Sequence, residues 1–121
     1  MATGVLVGPD PAAANAVDDA VSQASTAFHR GVRHVWLGQR FDVDALTLAA
    51  VIASAVPGLG VGTAIVPINP RHPLLVAAAA QTAQAAAHGN FSLGIGPGGN
   101  ALQQRAFGLP PSKEIAFLRE Y

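Results

Sequence analysis

In this 121-residue chain the most recognisable chemical spacing is Gly94-x-Gly96-x-x-Gly99, which closes an apolar run. Glycines so placed let a backbone approach a pyrophosphate closely at a helix N-terminus. The dinucleotide fingerprint, however, sits on an early strand, runs straight into a helix, and has an acidic residue about 20 positions on, at the end of the next strand. Here the run comes late and Pro97 with a polar loop through Asn100 follows, while Glu120, near the required offset, falls on an expected helix. A nucleotide-binding module is therefore disfavoured, and glycines fitted to a crowded corner are the competing reading. His29 and His34 straddle a helix end five residues apart, and His72 and His88 have no neighbour at ligand spacing, so no metal site is expected. No serine lies in a G-x-S-x-G elbow, which argues against covalent hydrolysis. Asp42 and Asp44 are two apart and do not share a helix face, and N-capping accounts for at least one of them.

Composition narrows the classes further. Apolar residues make up 50% of the chain and charged ones 12%, about half the charge usual for a soluble domain. Much of the surface is expected to be covered, which disfavours a lone monomer. Seven basic and seven acidic side chains cancel, and no Lys/Arg cluster exists, so nucleic acid and membrane are not expected partners. With no Cys, disulfides and thiolate metal sites are excluded, and a cytoplasmic location is the default expectation. Met1 to Val7 lacks the basic start of a targeting segment and is broken by Gly8-Pro9-Asp10-Pro11. Ala45 to Pro70 is uncharged and long enough to span a bilayer, but Pro57, Gly58, Gly60, Gly62 and Pro67 divide it into a helix and a strand.

Four β-α units position these residues. Gly4 to Gly8 reads as a strand, and Asp10-Pro11 supplies an N-cap and a first-turn proline for a helix carrying Val17, Ala20, Val21, Ala24, Ala27 and Phe28 on one face. Arg30 falls in its last turn and Gly31 at its left-handed stop. His34 to Gly38 is the second strand, Gln39 to Asp42 a loop, and Asp42 or Asp44 caps a helix reaching Ala55. Gly60 to Val66 is the third strand, apolar on both faces as in a buried parallel sheet. Asn69-Pro70 opens an Ala-rich third helix that ends at His88-Gly89. Phe91 to Gly96 is the fourth strand, Pro97 to Asn100 a loop, and a last helix follows Pro110-Pro111-Ser112 with Ile115, Leu118 and Tyr121 on its apolar face.

Repeated β-α units of roughly 30 residues are the building unit of a (β/α)8 barrel. The expected fold is thus α/β, one domain over residues 1–121, the N-terminal half of a TIM barrel with units near 1–31, 32–58, 59–89 and 90–121. In such a barrel function sits on the loops after the strands, which makes His72 the one histidine on the functional side.

His34 to Gln39 with Phe41 to Leu46, Gly62 to Pro67 with Arg71-His72-Pro73, and Leu93 to Gly96 together resemble the bacterial luciferase-like monooxygenase superfamily, specifically its deazaflavin-dependent branch. The likeness runs in order from Gly4 to Tyr121. It implies a hydride-transfer oxidoreductase or monooxygenase holding coenzyme F420, or alternatively FMN, at the barrel mouth, with a small organic substrate. It also implies a non-proline cis peptide at Ala64-Ile65 against the ring, with Gly62 and Thr63 shaping the strand end beneath and Gly94, Gly96 and Pro97 along the edge. Gln39 stands where many relatives present an Asp or His, which leaves the catalytic acid or base unassigned. Cofactor-phosphate contacts in the family come mostly from the second half of the barrel. A homo-oligomer or a chain supplying that half is therefore the expected partner, and a non-catalytic half-barrel is the alternative.

Overall fold

The computed structural model describes residues 4–121, so the first three residues of the expected first unit lie outside it. In chain order the elements are β1 (Gly4–Val7), α1 (Ala16–His29), β2 (His34–Leu37), α2 (Ala45–Ala55), β3 (Gly60–Thr63), β4 (Val66–Pro67), α3 (Pro73–Ala86), β5 (Phe91–Ser92), β6 (Ile95–Gly96), α4 (Asn100–Phe107) and α5 (Glu114–Glu120). The main sheet is parallel in the order β1-β2-β3-β5, and β4 pairs with β6 in a separate parallel ribbon. Each new strand is added on the same side of the last, which is barrel order. The reversal that creates a dinucleotide crevice in an open doubly wound sheet is absent among the described residues.

Strand alternation sorts the side chains. Val7, Val35, Leu37 and Val61 belong to the buried core with Ala20 and Ala24 of α1, Leu46, Ala49 and Ile52 of α2, and Val76 and Ala83 of α3. On the opposite face, register aligns Leu6, Trp36, Gly62 and Ser92 in one row and Gly4, His34 and Gly60 in another. The Trp36 indole lies across two glycines: a Cβ on Gly62 would come within 2.5 Å of its ring, and one on Gly4 within 2.7 Å of Nε1. The His34 and Trp36 ring centroids are 4.6 Å apart. Leu6 on this inner face is 71% exposed. Burial holds the His34 pKa below its ordinary value, and its Nε2 is buried without a partner.

Several local expectations are corrected. α1 begins at Ala16, because Asn15 rather than Asp10 accepts from the Val17 and Asp18 amides. Asp10 instead closes a turn through Ala12 N and receives Ala13 N on its carbonyl. α3 begins at Pro73 rather than after Asn69-Pro70, with His72 Nδ1 accepting from Leu74 N at 3.2 Å, so His72 is the cap of α3. The third and fourth strands each split, at Ala64-Ile65 and Leu93-Gly94, and α4 follows the Pro97 to Asn100 loop where no helix is expected. Replacing Asn15 with Ala should cost about 1 kcal/mol, the usual worth of such a cap. A urea midpoint unchanged from the parent would show that the cap carries no weight.

Candidate functional site

The C-terminal ends of the strands carry a polar frame. Gln39, after β2, uses its whole amide: Oε1 accepts from Ala45 N and from Arg71 Nη2, each at 3.1 Å, and Nε2 donates to the carbonyls of Arg40 at 2.6 Å and Val43 at 3.2 Å. Arg71 Nη2 also donates to Asp44 Oδ2. Asp44 in turn caps α2, accepting from Thr47 N at 2.8 Å and Thr47 Oγ1 at 2.9 Å. Burial pushes the Asp44 carboxyl upward, but the hydrogen bonds from Arg71 and Thr47 overrule it and leave the group below the ordinary carboxylate range. Tyr121 Oη donates to the Arg71 carbonyl at 3.0 Å. Asp42, the other expected cap, is held by Arg40 at 2.6 and 2.8 Å; that hydrogen bond keeps its pKa low, and Arg40 also reaches the Pro9 carbonyl.

The break in β3 sets the next feature. Thr63, 1% exposed, donates through Oγ1 to the Gly94 carbonyl and accepts from Gly94 N, both at 2.9 Å. Its hydroxyl thus stands in for a ladder rung where β5 ends. The Ala64-Ile65 peptide is cis, as the family likeness implied. Both residues are exposed, Ile65 at 38%. The Ile65 side chain lies along the fourth strand, so that a Cβ on Gly96 would meet its Cδ1 at 3.3 Å. Val66 and Ile68 then resume pairing with the Gly94 and Gly96 carbonyls.

Beside this step is a cleft of about 370 Å³. Gln39, Arg40 and Phe41 line it from the loop after β2, Pro67, Pro70 and Arg71 from the segment after β4, and Gly98, Leu102, Gln103 and Phe107 from the β6–α4 region. The Phe41 and Phe107 rings face each other at 5.9 Å, tilted by 54°. Gln103 is 2% exposed; its Nε2 donates to the Pro97 carbonyl at 3.1 Å and its Oε1 is buried without a partner.

Of the residues singled out from sequence, Gln39 lines the cleft, and Ala64, Ile65, Gly94 and Gly96 form the neighbouring step. Gly62 and Thr63 are buried beneath, and Pro97 reaches the cleft through Gln103. Leu102, Gln103 and Phe107 were missed, because the run Asn100–Phe107 has no apolar periodicity; the one available signal was the helix-forming tendency of Ala-Leu-Gln-Gln-Arg-Ala. Among the described residues no three His, Asp or Glu side chains converge as a metal cluster would require.

Residues 1–121 match the luciferase-like monooxygenase family model. The chain belongs to this family. Its fold is accordingly the N-terminal half, four β-α units, of a (β/α)8 barrel. Among solved structures, it resembles a coenzyme F420 dependent tetrahydromethanopterin reductase from Methanopyrus kandleri, with a TM-score of 0.77 and 22% identity over 90% of this chain and 30% of that one. It resembles a monooxygenase from Streptomyces bottropensis at 0.83, with 20% identity over 99% of this chain and 40% of that one. A third is the oxygenating constituent of 3,6-diketocamphane monooxygenase from Pseudomonas putida in complex with FMN, at 0.82, with 18% identity over 99% and 37%. The chain thus spans 30% to 40% of the length of these structures. No curated protein matches it by sequence. No helix of the described residues is long and apolar enough to cross a membrane.

Proposed function

We propose that this chain supplies the ring-binding half of the mouth of an oxidoreductase that uses coenzyme F420 or, alternatively, FMN and acts on a small organic substrate. The observation that carries the reading is the exposed apolar step of Ala64 and Ile65 at the strand ends, beside the cleft. A flat ring fits such a step, because apolar atoms presented to water gain by being covered. When bound, the ring takes up or gives a hydride. Ala64 and Ile65 support its face, Gly94, Gly96 and Pro97 border its edge, Gly62 and Thr63 hold the strand end beneath, and Gln39 keeps the loop after β2 in place. The F420 and FMN named for two structural neighbours support this choice of cofactors.

The four units act as one domain whose open inner face is covered by a second copy or by a chain supplying the other half-barrel. Leu6 at 71% exposure on that face favours this assembly. It equally supports a second reading, a non-catalytic half-barrel that self-associates. A cytoplasmic site of action is part of the proposal.

The test is size-exclusion chromatography with light scattering on the 121-residue chain, with F420 or FMN added and retained absorbance followed. A defined oligomer that keeps one cofactor, and keeps it at least about 10-fold more weakly in Ile65→Ala because ring contact area is lost, is the expected result. An oligomer that retains neither overturns the enzymatic reading in favour of the second.

A further inference from the structure

We propose that the cleft between Phe41 and Phe107 takes a neutral aromatic substrate bearing one hydrogen-bond donor, which Gln103 Oε1 accepts. The inference rests on reading the mouth as an oxidoreductase site and names the class of its substrate. Phe41 is 70% exposed and Phe107 44%, and Leu102 beside them is 51% exposed. The two rings come from the loop after β2 and the end of α4 yet meet at 5.9 Å in a tilted pair, which leaves aromatic faces and edges for a third ring. The volume of about 370 Å³ suits a ligand of one or two fused rings.

Charge selects against an anion. Each guanidinium in the cleft already has its own carboxylate, Arg40 with Asp42 and Arg71 with Asp44. An anionic ligand would have to compete with those partners, whereas a neutral one leaves both pairs intact. Gln103 supplies the polar selection. Its Nε2 is engaged by the Pro97 carbonyl, so the group left unsatisfied is the buried oxygen, an acceptor. Buried polar atoms of this kind are normally paired, and Gln103 lines the cleft, so an incoming O–H or N–H can supply that partner while Nε2 stays on the Pro97 carbonyl. A ligand without the donor leaves that oxygen unpaired, which is how a polar pocket rejects a close analogue.

The experiment is calorimetric titration at pH 7 with 1-naphthol, 1-methoxynaphthalene and 1-naphthoate. 1-Naphthol should bind about 10-fold more tightly than either of the others, the donor deciding against the ether and the charge balance against the carboxylate. Gln103→Leu should bring 1-naphthol down to the level of the ether, while Phe107→Ala should weaken both neutral ligands alike. Circular dichroism establishes that each variant is folded, and if Gln103→Leu is not, the three ligands on the parent chain decide alone. Equal binding of naphthol and its ether, preference for naphthoate, or no binding overturns the proposal. Cofactor retention is measured on the same samples. Naphthol preference without retained cofactor overturns the oxidoreductase reading and leaves the cleft preference standing; retained cofactor without discrimination does the reverse.

Discussion

Gly94→Ala is expected to lower the stability of the chain by about 3 kcal/mol, at the upper end of what overpacking costs. The added Cβ would collide with the Thr63 carbonyl oxygen and lie 3.1 Å from its carbon. Both are backbone atoms of the adjacent strand, so no rotamer change relieves the contact. β3 and the fourth strand must separate, and the two 2.9 Å hydrogen bonds between Thr63 Oγ1 and Gly94 stretch with them. Gly38→Ala is the control, since its Cβ would meet only the Ala64 carbonyl oxygen at an ordinary 3.7 Å. Urea denaturation of both variants measures the difference. Equal midpoints would show that the strand junction yields freely and that Gly94 is not required there by packing.

Asp44→Ala should cost about 2 kcal/mol at neutral pH. Loss of the α2 N-cap accounts for about half. The rest is the Arg71 pair, discounted because its side chains are 27% and 35% exposed and partly screened. The pH dependence separates this group from others. The folded Asp44 carboxyl titrates below its ordinary value, so the unfolded chain binds its proton first as pH falls. Its contribution is complete above about pH 4 and disappears as pH drops through the folded pKa. His34, a base whose folded pKa is also lowered, acts in a different window: its contribution is complete above about pH 6.5 and declines as pH falls below that. Midpoints measured from pH 8 to pH 2.5 should therefore show two declines in the parent, and in Asp44→Ala an unchanged upper one with a smaller lower one, to which the exposed Asp42 beside Arg40 still contributes. A lower decline of unchanged size in the variant would assign it to Asp42 and other carboxylates rather than to Asp44.

The β-α alternation was readable because apolar runs and glycine or proline stops recur in step, and of the face predicted for α1, Ala20 and Ala24 are fully buried while Val17 is 40% exposed. The strand breaks were not readable from residue type. Gly60 to Val66 and Phe91 to Gly96 are continuous apolar runs, and what interrupts them is a backbone turn at Ala64-Ile65 and the Thr63 hydroxyl taking over a rung. The family likeness located the first break, and nothing located the second. Helix starts failed for a local reason. Asp10, Asn15 and Asn69 are all good caps by type, and only geometry shows that Asp10 serves a turn, while His72 caps α3 from outside the usual set. At the site, the backbone step at Ala64-Ile65 followed from the resemblance. The cleft wall did not, because Gln103 and Phe107 sit on a short, mostly exposed helix in which Gln103 alone is buried, against Pro97 and Gly98, so no apolar pattern marks it.

The tryptophan laid across the inner sheet face gives the molecule its own optical gauge. The chain has a single Trp, and it stands in the row shared by Leu6, Gly62 and Ser92. Whatever closes over that row strips water from the indole and shifts its emission to the blue, while events confined to the helical layer leave the colour unchanged. Any covering of the inner face can therefore be followed in real time without a label, as a blue shift from the emission of the half-buried indole.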